Sequence, residues 1–290
     1  MKTTRKRKNR LKVKKLILFL CMVAICLALL VFAIIKGVDM WHTASAGESS
    51  GPTYYLFIGA DPTAGNEADS LLLMANNSKK KEMTFISIPP NTEIKRQEKD
   101  PMLLKKTFAE GGAEETKSAV ENLLHIRIDK YAVVNYAEFE ALLSKAGRLD
   151  LYVEKAMAHV NAAGQKDINL RQGYQSLDEE SALSYIRFVD AENGELGRIQ
   201  RQERFMKMLL YKLQNHIAFY NWVVTKRAWT AEETDISSSE AASLAHQLTD
   251  YPSENCRFEV IPGEMRKEKN ENHWVVNPVE AQKALALTIE

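Results

Sequence analysis

The amino terminus of this chain constrains its architecture more than any other feature. Met1–Lys15 carries nine Lys and Arg residues and no acid, and Leu16–Ile35 then runs for twenty residues without a charge. Twenty helical residues at about 1.5 Å each span about 30 Å, which is the hydrocarbon thickness of a bilayer. The pattern predicts a single-pass protein of the cell membrane, with a cytoplasmic tail at 1–15, a transmembrane helix at 16–35 and an extracytoplasmic remainder.

Two alternatives to this membrane anchor arise from the same segment. Ala44–Ala46 has the small residues of a signal-peptide cleavage site, so a cleaved signal peptide remains open. Against it, the apolar run exceeds the usual signal core of about 7–15 residues, and Lys36 and Asp39 intervene before the site. A lipoprotein anchor at Cys21 or Cys26 is excluded, because a bulky residue precedes each cysteine where a small one is expected.

Charge is unevenly distributed along the chain. The formal net charge is +1, but ten of the 39 Lys and Arg residues precede residue 37, which leaves 29 against 38 Asp and Glu beyond it. An outer part with a net charge of −9 does not suit nucleic-acid binding, and no helix-turn-helix pattern is present, which argues against a transcriptional regulator. The basic tail is suited to anionic lipid, which makes the membrane the expected partner.

The outer part has the pattern of one α/β domain. A linker of small and polar residues at 36–52 precedes 53–290, which is long enough for one sizeable core. Cys256 is its only cysteine, so no disulfide framework is expected. Short apolar runs alternate with amphipathic ones, which predicts layered strands and helices. The predicted strands are Tyr54–Gly59, Leu71–Ala75, Met83–Ile88, Tyr131–Val134 and Leu149–Val153, and the predicted helices are Ala113–Leu124, Ala137–Ala146, Ser176–Ile186 and Gly197–Gln214.

Two acids lie close together at predicted strand ends. Asp61 follows the first strand, and Asp69 opens the second after a polar loop. Carboxylates at the loop edge of an α/β sheet are well placed to hold a hard cation such as Mg²⁺, which takes oxygen ligands. The alternative is a pair of solvated loop acids, which are common.

The last predicted helix carries cations in an unusual position. Arg198, Arg201 and Gln202 fall together by the three- and four-residue rule, and Arg198 and Gln202 border the apolar face. Cations in the first turn of a helix also oppose its dipole, which is unfavourable unless an anion is near. The alternative is structural ion pairs, for example with Glu195 or Asp190.

A third arginine ends the preceding helix. Arg187 closes the segment SYIRF at 184–188, and its guanidinium matches phosphate oxygens in a two-pronged fork. The three arginines can therefore converge on phosphate. Placement of Arg187 at a helix carboxyl end is favourable in itself, which is the competing explanation. The same predicted helix has Ser176 and Glu179 at the spacing of a capping box.

In their order and spacing, six segments resemble the LytR-CpsA-Psr family of bacterial envelope proteins. The segments are LFIGAD (56–61), ADSLLLM (68–74), SIPPNT (87–92), VENLLHIRIDKYAVVNYAEFEALL (120–143), QSLDEESALSYIRF (175–188) and GELGRIQRQERF (194–205). The resemblance implies a three-layer α-β-α sandwich with a mixed central sheet and an apolar pocket for a lipid tail. It also implies transfer of a glycopolymer from polyprenyl pyrophosphate to peptidoglycan, in which a sugar hydroxyl attacks phosphorus and polyprenyl phosphate leaves.

The resemblance assigns roles by position. Asp61 and Asp69 match metal-associated acids, which implies Mg²⁺ as cofactor, and together with Arg198 they are the implied catalytic residues. The implied pyrophosphate-binding residues are Arg187, Arg198, Arg201 and Gln202.

The chain departs from the family pattern where phosphate is expected. Glu67, Pro90 and Val189 stand where the family carries arginine, and Asn91 stands for an aspartate. The family's Lys-x-Asn before a Gly-Gly pair is also not kept. Each lost charge-assisted bond removes about 1.5–3 kcal/mol. Two functions therefore stay open: a phosphotransferase with a changed clamp, or a catalytically degenerate protein that binds polyprenyl-phosphate lipids or partners without turnover.

Overall fold

The longest apolar runs of the chain form its central sheet. In the computed structural model the sheet contains β1 (Thr53–Asp61), β2 (Glu67–Asn77), β3 (Glu82–Ile88), β6 (Lys130–Val134) and β11 (Cys256–Val260). Their order is β11-β3-β2-β1-β6. β1–β2 and β2–β3 are antiparallel, whereas β1–β6 and β3–β11 are parallel. The predicted α/β class with a mixed central sheet is therefore confirmed.

The structure describes residues 51–61, 66–96, 99–161, 163–214, 229, 233–268 and 271–289. The predicted cytoplasmic tail, transmembrane helix and nearly all of the linker lie outside these residues. Within them, no helix combines the length and apolar character needed to cross a membrane.

The remaining elements surround this sheet. The helices are α1 (Lys105–Leu124), α2 (Tyr136–Ala146), α3 (Glu179–Arg187), α4 (Gly194–Gln214), α5 (Ser238–Asp250) and α6 (Pro278–Ile289), with a 3₁₀ turn at Ser253–Asn255. The short strands are β4 (Glu93–Arg96), β5 (Lys99–Leu103), β7 (Leu149–Val153), β8 (Met157–Val160), β9 (Lys166–Leu170), β10 (Gly173–Leu177), β12 (Gly263–Glu268) and β13 (Glu271–Val276).

Helices cover both faces of the sheet, because alternate strand residues face opposite sides. Leu56 and Ile58 of β1 join a core cluster with residues of α1 and α6. Tyr55 and Phe57, one position along, face residues of α4 and α5 on the other side. Burial on both faces explains why the central strands are continuously apolar. Each such Leu or Ile contributes about 1.5–3 kcal/mol relative to an exposed position.

A second cluster lies beside the sheet and holds the elements that carry the candidate site. β7 pairs with β10, β8 pairs with β9, and their apolar residues pack with α2, α3 and α4 around Tyr185 and Phe205. The capping box of Asn135 and Glu138 starts α2 directly after β6, which sets this helix at the end of a central strand.

The predicted helix starts near the site were wrong in two places. Ser176 belongs to β10, and α3 begins at Glu179 with Asp178 as the N-cap, whose side chain accepts a hydrogen bond from the Ser181 amide. The capping box predicted for Ser176 therefore does not form, because Asp178 is the nearer acceptor. Helix α4 begins at Gly194 and not at Gly197, so Arg198 lies beyond the first turn and the expected conflict with the helix dipole is small.

Candidate functional site

A cavity of about 460 Å³ lies between the sheet and helices α2 to α5. Its walls are mainly apolar side chains of these elements. They include Phe57, Leu72, Phe139, Leu143, Leu183, Ile186, Phe205, Met206, Leu209, Leu213, Trp229 and Phe258. Asp69, Arg187, Gln202 and Glu203 line the same cavity. The space therefore suits an apolar chain that carries an anionic or polar group.

Asp69 is the centre of a hydrogen-bond network. One carboxylate oxygen accepts from Nη1 of Arg198, and the other accepts from the Tyr136 hydroxyl at 2.8 Å. Arg198 also donates to the main-chain oxygen of Asp69 and to Glu195. The Asp69 side chain stays 28% exposed while that of Arg198 is 5% exposed. The structure thus joins β2, α2 and α4 through groups 67 and 129 residues apart in the chain.

The Arg198 guanidinium is firmly held as a cation. Burial lowers its pKa, but the neighbouring carboxylates of Asp69 and Glu195 outweigh burial and raise the pKa above its ordinary value. The ion pair with Glu195, one of the structural partners considered from the sequence, is present. Arg198 therefore fixes Asp69 against the end of the cavity, and the cavity wall contains Asp69 rather than the guanidinium.

Arg187 is the arginine that remains open to an anion. Its guanidinium lies 4.6 Å from the ring centroid of Tyr136, the residue that bonds Asp69. Among the described residues no carboxylate lies within ion-pair distance of Arg187, and its side chain lines the cavity. A guanidinium stacked on an aromatic ring is pre-oriented, so less freedom is lost when it binds phosphate.

Gln202 and Glu203 bring two polar groups of α4 to the cavity. Gln202 donates to the main-chain oxygen of Ile186 at 3.3 Å, which ties α4 to the end of α3. Glu203 is half-buried, and one of its oxygens has no hydrogen-bond partner in the described part of the chain. Burial raises the pKa of Glu203, Lys207 lowers it and Glu259 raises it again.

Arg201 faces away from this cavity and is part of a buried ion cluster. It is 2% exposed, pairs with Glu154 and Asp190 at 3.3 Å each, and donates to the main-chain oxygen of Phe188. The structural pairing with Asp190 considered from the sequence is therefore present. Arg201 holds the loop between α3 and α4, and the structure does not bring it together with Asp69, Arg187 and Gln202 in the cavity wall.

The positions that depart from the family pattern have local partners. Glu67 accepts from Lys105 at 2.7 Å, so the cation nearest to this reversed charge is neutralised. Asn91 donates to the main-chain oxygen of Asn272 at 2.6 Å, which ties it to the β12–β13 hairpin. Val189 is 50% exposed. Asn91 Oδ1 is buried without a hydrogen-bond partner among the described residues, and none of the altered positions places a cation in the cavity lining.

Asp61, the other predicted metal-associated acid, and the nearby Gly59 both lie at the end of β1. The backbone of Asp61 ends β1 opposite Glu67, but its side chain lies outside the described residues. Gly59 pairs with Ser70, and a Cβ at Gly59 would force the Ser70 hydroxyl to rotate away.

Sequence reasoning missed Tyr136 and Glu203. Tyr136 opens α2 at the end of a central strand, the edge at which α/β sheets place ligands, and this position is a usable signal. Glu203 shares a helix face with Met206 and Leu210 by three- and seven-residue spacing, so an acid on an apolar face was also visible.

Together these features define an α/β protein with an apolar ligand cavity and a single accessible arginine among the described cavity-lining residues. The sequence model described as the LytR_cpsA_psr family matches residues 35–288, and the chain belongs to this family. The family membership predicted from the six segments is therefore confirmed.

Several relatives are named for envelope chemistry. Polyisoprenyl-teichoic acid–peptidoglycan teichoic acid transferase TagV of Bacillus subtilis is 27% identical over 213 residues, 70% of this chain and 54% of the relative. The TagU transferase of Enterococcus faecalis is 27% identical over 61% of this chain and 58% of the relative. The chain therefore spans little more than half the length of these proteins.

Solved structures show the same fold. A crystal structure of B. subtilis TagV superposes with a TM-score of 0.70 at 23% identity, and covers 83% of this chain and 98% of that one. A structure of TagT bound to LI-WTA superposes with a TM-score of 0.65 at 19% identity, over 82% of this chain and 89% of that one.

Proposed function

We propose that this protein is a membrane-anchored envelope protein that binds polyprenyl pyrophosphate-linked glycopolymer and transfers the polymer to peptidoglycan. The observation that carries the proposal is the apolar cavity with Arg187 stacked on Tyr136 in its wall. An apolar cavity is suited to the prenyl chain, and a guanidinium with no ion-pair partner among the described residues is suited to its phosphates, although its charge also acts on Asp167. The names of the TagV and TagU transferases support the same class of substrate.

The transfer step follows from this placement. A hydroxyl of the acceptor sugar attacks the phosphorus that bears the glycopolymer, and its proton passes to a base. The new phosphorus–oxygen bond replaces the bridging bond of the pyrophosphate, and polyprenyl phosphate leaves. Arg187 stabilises the charge that develops on the phosphates, and Gln202 offers a neutral donor beside it.

Magnesium remains part of the proposal. Mg²⁺ in such sites is held by one or two carboxylates together with substrate phosphates. Each oxygen of Asp69 keeps a further lone pair after bonding Arg198 and Tyr136, so this carboxylate fits an ion. Asp69 and Asp61 would hold the metal, which would neutralise charge at the phosphates.

A second candidate function has its own support. The Lys105–Glu67 pair removes a cation from the vicinity of the site, and Arg198 is engaged with two carboxylates. Phosphoryl transfer depends on positioned positive charge, and this site has less of it than the family pattern implies. A protein that binds polyprenyl-phosphate lipids without turnover would need only the cavity and Arg187.

One experiment separates these functions. The full chain in detergent micelles is titrated with a polyprenyl pyrophosphate-linked oligosaccharide, with and without Mg²⁺, and release of polyprenyl phosphate to a peptidoglycan fragment is measured. Metal-dependent release supports the transferase, and binding without release supports the lipid-binding protein. Absence of binding contradicts both.

A matched pair of variants assigns the binding to the cavity. Arg187→Gln is expected to weaken lipid affinity about tenfold or more, because one charge-assisted contact contributes about 1.5–3 kcal/mol. Arg257→Gln removes the same charge from β11, outside the cavity lining, and is expected to leave affinity unchanged. Equal losses in the two variants would show that binding is not at this cavity.

A further inference from the structure

Strand β4 and the β12–β13 hairpin bring three metal-ligating side chains together, away from the cavity. Thr92 bridges to Trp274, and the Trp274 amide donates to the Asn91 oxygen at 2.9 Å, so the hairpin lies beside the start of β4. Glu93, Glu268 and His273 project from these neighbouring strands. Their ligand atoms all lie within 4.8 Å of one another.

We propose that Glu93, Glu268 and His273 form a binding site for a divalent transition metal ion of the Zn²⁺ type. Imidazole nitrogen and carboxylate oxygen are ligands that such ions share, whereas Ca²⁺ and Mg²⁺ prefer oxygen alone. No residue of this set lines the apolar cavity, so the proposal is independent of the lipid-binding function.

The spacing of the ligand atoms fits one ion. Atoms that bind Zn²⁺ at about 2.0–2.2 Å in a tetrahedron lie about 3.4 Å from each other. Nδ1 of His273 is 3.2 Å from Oε2 of Glu93 and 3.9 Å from Oε2 of Glu268. Binding one ion would draw the Glu268 carboxylate inward, since the three ligand atoms now lie within 4.8 Å of one another, and this side chain is 58% exposed. A water completes the fourth position.

A carboxylate also lies near the opposite side of the imidazole. Oε2 of Glu271 is 3.8 Å from Nε2 of His273, on the ring edge away from Glu93. A histidine that binds metal through one nitrogen usually donates its other N–H to a carboxylate or carbonyl, which fixes the ring. At 3.8 Å Glu271 is beyond hydrogen-bond distance, and a rotation of its exposed side chain would bring it to Nε2.

A bound cation would stabilise the β12–β13 hairpin by reducing repulsion between its carboxylates. Glu268 and Glu271 are direct partners at the end of the β12–β13 ladder, and like charges directly opposite each other are destabilising. Glu93 adds a third carboxylate to the group. An ion held there would neutralise these charges and fasten the hairpin to β4, next to the Asn91–Thr92 turn. It would therefore be structural.

The test titrates the full chain in detergent micelles with Zn²⁺ against a chromophoric chelator. The wild type is expected to bind Zn²⁺. Glu268→Gln removes a ligand and is expected to bind the ion at least about 100-fold more weakly, and Glu271→Gln removes an outer partner and is expected to bind it about tenfold more weakly. Glu264→Gln is the matched control, because Glu264 lies on the same hairpin, is exposed and pairs only with Arg266 among the described residues. It is expected to bind like the wild type.

A second readout, the melting temperature, separates loss of this site from misfolding and from binding elsewhere. Zn²⁺ is expected to raise the Tm of the wild type and of the Glu264 variant but not that of the Glu268 variant. Both positions are exposed on the hairpin, so the variants are expected to fold. Equal Zn²⁺ affinity in the Glu264 and Glu268 variants, or no binding by the wild type, would overturn the proposal.

Discussion

Arg198 stabilises the fold by bridging two carboxylates. Asp69 and Glu195 both bond its guanidinium, and the side chain is 5% exposed. Removing one partner of a buried ion pair costs about 3–5 kcal/mol, because the remaining charges lose their compensation. We expect Arg198→Gln to lower the free energy of unfolding by about 3 kcal/mol, as measured by urea denaturation.

The same helix supplies the control for this prediction. Arg204 pairs with Glu154 but is 43% exposed, and exposed pairs contribute about 0–1 kcal/mol. Arg204→Gln should therefore lower stability by less than about 1 kcal/mol. If the two variants lose the same stability, Arg198 is not the buried bridge described here.

The raised pKa of Glu203 predicts how the stability of the protein changes with pH. Its pKa is raised, chiefly by burial, so the folded protein binds this proton more tightly than the unfolded chain does. Stability therefore falls as pH rises from the ordinary value of 4.5 through the raised folded pKa. Glu203→Gln removes the charge and should be more stable than the wild type by about 1 kcal/mol at neutral pH.

The difference between these proteins should disappear in acid. Below the ordinary pKa, Glu203 is protonated in both the folded and the unfolded state, so the two proteins differ little. Thermal unfolding at about pH 4 and about pH 8 measures the change. Glu259 has a raised pKa as well and adds to that of Glu203, so the difference between the two proteins reports the burial of Glu203 together with its repulsion by Glu259. A gap that is constant with pH would contradict the assignment.

At the scale of elements, helix α3 is capped by Asp178 and not by Ser176, the residue that the capping-box spacing predicts. Ser176 has the capping-box spacing, but it lies in β10, paired with Asp150 of β7. The side-chain hydrogen bond with Ser181 is the largest cause of the lowered pKa of Asp178, and burial opposes it. Asp178→Ala should cost about 1 kcal/mol of stability, the usual value for an N-cap, while Ser176→Ala should change it by less than about 0.5 kcal/mol.

The pH dependence checks the same cap independently. Because the pKa of Asp178 is lowered in the folded protein, its contribution is present above the unfolded pKa and is lost as pH falls through the folded value. Urea denaturation at neutral pH and in acid should therefore bring the Asp178→Ala variant and the wild type together at low pH. A larger loss for Ser176→Ala than for Asp178→Ala would restore the serine as the cap.

Strands whose apolar residues form a continuous or alternating run could be predicted from the sequence, and those completed by distant partners could not. The strands β1, β2, β3, β6 and β7 each contain a predicted apolar run. By contrast, β12 has mainly exposed polar residues and exists because β13 pairs with it. Local periodicity carries no information on such pairing.

The candidate site divides in the same way. The resemblance identified Asp69, Arg187 and Gln202, and the structure brings these three to one cavity. It could not show that Arg201 faces a separate ion cluster, because helix periodicity places Arg198, Arg201 and Gln202 together without saying which neighbours each meets. The contact between Asp69 and Arg198 spans 129 residues and depends on the whole fold.

At the scale of the whole molecule, two features lower the affinity for an anionic lipid. One is the negative net charge of the outer part, and the other is the small number of arginines at the expected phosphate site. Val189 and Val160 allow the two effects to be separated. Val189 is 50% exposed two residues after Arg187, at a position where the family carries arginine, whereas Val160 is 57% exposed on β8, and neither valine lines the cavity. Arginine at either site adds the same charge to the molecule.

We expect Val189→Arg to tighten binding of polyprenyl pyrophosphate about tenfold, because a second guanidinium near Arg187 adds about 1.5 kcal/mol of charge-assisted contact. Val160→Arg should change affinity by less than about twofold at physiological salt, because an exposed charge outside the cavity lining stays in water and is screened by salt. Calorimetric titration of the full chain in micelles measures both. Equal tightening would mean that overall charge limits binding, and no tightening by Val189→Arg would mean that the clamp position does not reach the lipid phosphates.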